Sequence, residues 1–363
     1  YCYLDFSQYF SEDYFLARKR FIEYAHSSGA LTSQLLLTER GPNGEPLTID
    51  IAWLGSLTPK TILLHTSGLH GVEGFAGSAI QLKILENRPT PPKDGAIILI
   101  HILNPYGMAW LRRYNESNVD LNRNFRFEQS EWQADSSDYA KLDNFLNPQK
   151  KRFFDSFILQ ELYVKFRYGT EKLRNTIPVG QNFNPKGLFY FGNQLEEGPT
   201  IYKRWLNESL SQTEYMFIID VHTGLGRKGQ ESLFHKIAST NSTALSEKLN
   251  RQLTTDFASD GVMAYAFKGS HLRAFEQIFD SSDVDFINQE FGTYTNLYVL
   301  QALRDENMYH HYFDRKLNHS SKQRLKEAFS PDRWQWQSKV VNSGVTLFEE
   351  ANKHIKSRQL DSK

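Results

Sequence analysis

Residues 61–104 read TILLHTSGLHGVEGFAGSAIQLKILENRPTPPKDGAIILIHILN. TILLHTSG (61–68) and AIILIHILN (96–104) are short apolar runs rich in β-formers, with no polar alternation. Such runs fit strands covered on both faces, as in parallel sheets. Between them GFAGSAIQLKILEN (74–87) has helical periodicity. Strand, helix and strand within about 45 residues form a βαβ unit.

Upstream, SQLLLTER and LTIDIAWLG are joined by GPNGEP, a hairpin signal. A helix with Phe15, Ala17, Phe21 and Ala25 precedes them and stops at Gly29. Downstream, YMFIIDVHTG (215–224) and DVDFINQEFGTY (283–294) read as further strands, and GVMAYAF (261–267) as a short one. STALSEKLNRQLTT and SHLRAFEQIF read as helices, and a long amphipathic helix follows Asp332. Residues 128–212 are mostly polar-helical, with loops around QNFNPKGLFYFGN. The expected architecture is α/β: a mixed, largely parallel central sheet flanked by helices. A single domain over 1–363 is the simpler organisation, with a helical and loop insertion around 128–212.

Composition narrows the function. The 363 residues are 40% hydrophobic and 23% charged, which excludes disordered, collagen-like and coiled-coil chains. Lys+Arg and Asp+Glu both number 42, so a global electrostatic grip on nucleic acid or anionic membrane is not expected. No run approaches the ~20 apolar residues that span a bilayer. Neither nucleic acid nor membrane is therefore an expected partner. Cys2 is the one cysteine, so no intramolecular disulfide and no cysteine-based zinc finger can form. The first residues, YCYLDFSQYFSEDYF, lack a basic segment followed by an apolar run. The expected location is cytoplasmic, although a first residue other than Met leaves a removed leader open.

Polar groups cluster where the apolar runs end, and open parallel sheets bind ligands at the carboxyl ends of their strands. After the first run come His70 and Glu73, set three apart among Gly68, Gly71 and Gly74. H-x-x-E is also a common pair of helix-surface neighbours. At a strand-to-helix corner, however, both side chains can converge on one cation. His222, ending another apolar run, is the natural third donor. Two imidazoles and one carboxylate leave an open position, as in catalytic zinc sites. RRYNESNVDLNRNF (112–125) packs Arg112, Arg113, Asn115, Asp120, Asn122, Arg123 and Asn124 around Val119, Leu121 and Phe125. Guanidiniums beside a metal suit carboxylate binding and oxyanion stabilisation. Glu290, inside VDFINQEF, is either a solvent-facing edge residue or a functional one, since burying it unpaired is costly. GLGRKG (224–229) matches G-x-G-x-x-G, but no strand ending in an acid follows about 20 residues on, so dinucleotide binding is not expected.

Taken in chain order, these motifs resemble the zinc carboxypeptidase superfamily. They are H-G-V-E at His70–Glu73, N-P-x-G at Asn104–Gly107, R-x-N-x-x-x-V-D-L-N-R-N-F at Arg113–Phe125, D-x-H-T-G at Asp220–Gly224, and a late strand with Glu290. With SGLHGVEGFAGSAIQ and GQNFNPKGLFYFGN added, the chain most resembles the branch catalogued as domain of unknown function 2817. The resemblance implies a zinc-carboxypeptidase-like (phosphorylase/hydrolase-like) fold. It implies one Zn²⁺ on His70, Glu73 and His222, with Asp120 orienting His70. It also implies Glu290 as general base and acid, Arg113 polarising the scissile carbonyl, and Asn122 and Arg123 holding a substrate carboxylate. Arg112 is a further candidate for substrate contact, and Tyr265 matches loosely the phenol-bearing loop that precedes the family's catalytic Glu. The implied activity is zinc-dependent hydrolysis of an amide next to a carboxylate, by a metallocarboxypeptidase-like peptidase. An N-acyl amino acid deacylase of the aspartoacylase and succinylglutamate desuccinylase type shares these motifs. A catalytically silent metal- or peptide-binding module is the third possibility. The expected substrate is thus a peptide or an N-acyl amino acid.

Overall fold

The structure is a computed structural model that describes residues 5–151, 156–238, 242–254, 268–279 and 284–361. The GVMAYAF strand expectation and Tyr265 lie outside the described residues.

Among the described residues seven strands build one sheet: β1 Leu31–Arg40, β2 Pro46–Gly55, β3 Thr61–Thr66, β4 Gly95–His101, β5 Tyr215–Gly224, β6 Glu231–Ala238 and β7 Val284–Gly292. Their order is β1-β2-β4-β3-β5-β7-β6. The central four, β4-β3-β5-β7, are mutually parallel, while β1, β2 and β6 join antiparallel at the flanks. This is the mixed, largely parallel sheet expected. The hairpin around GPNGEP forms as β1–β2. After GLGRKG the chain enters a strand, β6, instead of a helix.

The apolar runs are buried along their whole length because both faces are covered. Leu63, Ile97, Phe217 and Ile219 meet the helices Gly74–Glu86 and Trp334–Asp361 through Ala76, Ile80, Val340 and Phe348. The alternate residues Ile62, Leu64, Ile98, Met216 and Ile218 meet the helix Glu197–Leu210 through Tyr202 and Leu206. Burying each such side chain contributes about 1.5–3 kcal/mol before entropy is charged against it. A third apolar cluster joins Val72, Tyr106 and Tyr114 to Phe145, Val164 and Leu188 of the 128–212 region. It also takes in Leu303 and Phe329 from the helices Asn296–Tyr312 and Ser320–Phe329. Among the described residues no helix is long and apolar enough to cross a membrane.

Candidate metal centre

The parallel strands bring the motifs to one end of the sheet. His70 follows β3, and the turn Gly71–Glu73 leads directly into the helix Gly74–Glu86. The turn is locked to the next motif through the backbone: Gly71 N–H donates to the Arg113 carbonyl at 3.2 Å and Val72 N–H to that of Arg112 at 3.0 Å. A Cβ at Gly71 would lie 2.1 Å from the Gly107 carbonyl carbon, so this close approach requires glycine. Asn104 secures the same loop, accepting from Gly107 N–H at 2.8 Å and donating to the Arg113 carbonyl at 3.2 Å. N-P-x-G and H-G-V-E therefore form one packed corner.

His222 and Glu290 are register partners on the adjacent parallel strands β5 and β7. Their side chains consequently leave the sheet on the same side. His70, Glu73 and His222 are buried and offer ligand atoms within 4.8 Å of one another. Both imidazoles turn Nδ1 toward Glu73: His70 at 2.9 Å from Oε1 and His222 at 3.1 Å from Oε2. Both also anchor Nε2 on an aspartate, His70 on Asp120 Oδ1 at 3.0 Å and His222 on Asp220 Oδ2 at 2.9 Å. Such pairing fixes ring orientation and leaves the other nitrogen as a lone-pair donor.

Arg113 reaches into this group, with Nη1 3.1 Å from Glu73 Oε1, Nε 3.3 Å from Asp120 Oδ2 and Nη2 2.9 Å from His70 Nε2. Arg123 donates to Asp120 Oδ2 at 2.6 Å and to the Pro178 carbonyl at 2.6 Å. Glu290 is buried, and its Oε1 accepts from Leu225 N–H at 2.9 Å. Asn122 Oδ1 accepts from His271 N–H at 3.0 Å. A cavity of about 330 Å³ opens over the centre and is lined by His70, Glu73, Arg113, Asn122, Arg123, His222 and Glu290.

The electrostatics follow from burial of these charges. Burial works against the Glu73 carboxylate, but His70 and His222 hold its pKa down to about 2. Burial also opposes charge on Asp120 and Asp220. Arg123, Arg113 and His70 outweigh it for Asp120, as do His222 and His271 for Asp220, and both carboxyls stay well below the usual range. His222 lies well above the ordinary imidazole value, because Asp220 and Glu73 overcome the cost of burying its charge. Glu290 is pushed up to about 8, chiefly by burial and then by the charge of Glu73.

The donor set fits a divalent cation. Glu73, Asp120, Asp220 and Glu290 bring four carboxyls against the two guanidiniums of Arg113 and Arg123. With neutral imidazoles and full ionisation, two negative charges are left for a cation to balance. Two nitrogens and a carboxylate are the ligand types that zinc accepts.

Arg112 is placed elsewhere, in a correction to its expected contact with substrate. Its buried guanidinium turns away from the cavity, donating to Glu306 at 2.9 Å, Asn118 at 3.0 Å and Asn307 at 2.7 Å. The other residues of the 112–125 loop mainly hold it in shape. Asn118 and Asn124 bind carbonyls of residues 185–194, and Val119, Leu121 and Phe125 are buried. Sequence reasoning assigned no role to Asp220, which accepts from Thr66 Oγ1 at 2.7 Å and lies 3.0 Å from His271 Nδ1 as well as holding His222. The signal was present, since D-x-H on a strand puts both side chains on one face.

The fold and the centre together define an α/β protein with a buried His-Glu-His donor set at the carboxyl ends of a parallel sheet. The family model described as "Protein of unknown function (DUF2817)" matches residues 10–343, and the chain belongs to that family. No curated protein matches the sequence. Among solved structures the chain is similar to murein-tripeptide amidase MpaA from Escherichia coli O157, at 16% identity over 77% of this chain and 92% of that one, with a TM-score of 0.37. It is also similar to thrombin activatable fibrinolysis inhibitor, at 9% identity over 92% and 74% of the two chains, with a TM-score of 0.45. A third is an aspartoacylase family protein from Mesorhizobium loti MAFF303099, at 15% identity over 77% and 66%, with a TM-score of 0.35.

Proposed function

We propose that this protein is a zinc-dependent hydrolase of an amide bond next to a carboxylate, working as a metallocarboxypeptidase-like peptidase. The observation that carries the reading is the paired arrangement of the two histidines. Each presents Nδ1 to Glu73 and fixes Nε2 on an aspartate, with Glu290 beside them in the same cavity. His70, Glu73 and His222 would hold the ion. When bound, zinc supplies Lewis acidity and lowers the pKa of a water to about 7.

The remaining roles belong to the chain. Leu225 N–H engages Glu290 Oε1, leaving Oε2 to take a proton from water and deliver it to the leaving nitrogen. Such a role is typically worth about 10²–10⁴ in rate. Burial raises the affinity of Glu290 for that proton, which suits the delivery step. Arg113, held by Glu73 and Asp120, places fixed positive charge at the cavity wall for the developing oxyanion. Asn122 and Arg123, on the same wall, would orient the substrate carboxylate.

The test is Glu290→Gln. We expect hydrolysis to fall by at least about 10²-fold while one zinc per chain remains bound, measured by turnover and elemental analysis. Near-full turnover would remove Glu290 from the mechanism. The second reading, an N-acyl amino acid deacylase on the same groups, is supported by the size of the cavity. Its roughly 330 Å³, partly walled by residues 145–189, suits an acylated amino acid as well as the end of a peptide. Turnover of peptides against acetyl- and succinyl-amino acids separates the two.

A further inference from the structure

We propose that the substrate carries a bulky apolar group beside the scissile amide, aliphatic or aromatic and well beyond the size of an acetyl or a methyl side chain. The inference rests on the hydrolase reading above and names what that site takes. The polar groups of the cavity gather at the metal centre. Much of the opposing wall is apolar and comes from two separate parts of the chain. Val164, Leu173 and Ile177 enter from the 128–212 region, and Leu297, Leu300 and Leu303 enter from the helix Asn296–Tyr312.

The three leucines stand at i, i+3 and i+6, so one helix face looks into the cavity. Leu173, Ile177, Leu297 and Leu300 are only partly buried, although they pack against a cluster of buried residues. Apolar surface left facing a concave, water-filled cavity gains when a ligand replaces the water there. Of the charged groups on this side, Glu161 and Lys165 form a close ion pair with each other, and Arg174 is exposed. The cavity, at about 330 Å³, has room for a bulky apolar group beside the amide.

The apolar group could belong to an acyl chain or to an amino-acid side chain, and two ligand series distinguish them. The first is N-acetyl-, N-hexanoyl- and N-octanoylalanine; the second is Ala-Ala-Ala against Ala-Ala-Leu and Ala-Ala-Phe. Binding is measured by calorimetry on zinc-loaded Glu290→Gln protein, so that turnover does not intervene. In at least one series affinity should rise about fourfold per methylene until the cavity is filled. Leu300→Gln and Leu173→Gln, each introduced into that protein at a half-buried position, should flatten the rise several-fold with the melting temperature kept. If neither series gains as much as tenfold from its smallest member to its largest, the inference is wrong. If the parent enzyme turns over none of these compounds and the chain-length dependence of binding persists, the hydrolase reading falls and the apolar site stands.

Discussion

Replacing Asp220 separates its role in aiming His222 from a role in chemistry. Its Oδ1 accepts from Thr66, while Oδ2 lies within hydrogen-bond distance of both His222 Nε2 and His271 Nδ1. In Asp220→Asn, the amide oxygen can still receive the imidazole N–H groups if the amide nitrogen turns to the Thr66 hydroxyl. The geometry survives and the negative charge is lost, so His222 becomes a weaker donor. In Asp220→Ala all three partners lose their acceptor, and each buried unsatisfied group costs about 1–3 kcal/mol. Loss of a carboxylate behind a metal-binding histidine typically costs about 10–100-fold in affinity, which is about 1.4–2.7 kcal/mol. We therefore expect Asp220→Asn near the tenfold end and Asp220→Ala at or beyond the hundredfold end. Zinc competition against a chromophoric chelator measures both directly, and circular dichroism confirms that the variants are folded. A folded Asp220→Ala protein binding zinc within about threefold of the parent would show that His222 needs no such anchor.

The metal-free protein should lose stability as pH rises from about 7 to 8, at roughly 1.4 kcal/mol per pH unit for each proton that only the folded state retains; below that range the buried His65, His101, His310 and His311, whose pKa values burial lowers, act in the opposite direction. Both His222 and Glu290 have raised folded-state pKa values, Glu290 at about 8, so each favours folding most at low pH and loses that contribution on the way up. Urea melts in chelator should show this slope, and zinc should flatten it by favouring the deprotonated groups. Glu306→Gln should destabilise by about 3–5 kcal/mol, because Arg112 and Lys322 both pair with that one buried carboxylate and would lose their counter-charge. At ~2.1 cal/mol/K per residue of unfolding entropy this lowers the melting temperature by about 5 °C, readable by calorimetry. Gly71→Ala forces a methyl into the Gly107 backbone and should cost about 3 kcal/mol together with zinc binding. A variant that melts and binds zinc like the parent would mean that the corner can open freely.

The sheet was legible because its central strands are covered on both faces, and TILLHT, AIILIH and YMFIID announce that as unbroken apolar runs. The candidate donors His70, Glu73 and His222 were legible for the same reason: they stand at the ends of those runs. β6 escaped notice. ESLFHKIA is a flanking strand with a mixed polar pattern after a loop of glycines and basic residues, so neither period nor composition marks it. The helix Phe157–Tyr168 was hard to place because its apolar residues lie on both sides. Phe157 and Val164 are buried, while Ile158, Leu159, Leu162, Tyr163 and Phe166 are exposed, so no single stripe emerges. Arg112 and Arg113 were indistinguishable as neighbours in a loop. The difference lies with Glu306 and Asn307, about two hundred residues away, which claim one guanidinium and leave the other to the cavity.

The two Asp–His pairs reach similar geometry by different routes, and the difference decides how each half of the centre is supported. Asp220 and His222 share one strand face two residues apart, and that strand is flanked by parallel neighbours on both sides. Strand alternation alone aligns them, so their geometry depends on the sheet. Asp120 meets His70 across fifty residues of chain, and nothing in a regular element aligns them. Their contact is assembled from the Gly71–Gly107 corner, the guanidiniums of Arg113 and Arg123, and the Tyr190 carbonyl, which receives Asp120 N–H at 2.7 Å. That last bond comes from the 128–212 region, which also forms part of the apolar wall of the cavity. The segment that walls the cavity therefore also helps to aim one of the two imidazoles, whereas the other is aimed by the sheet itself.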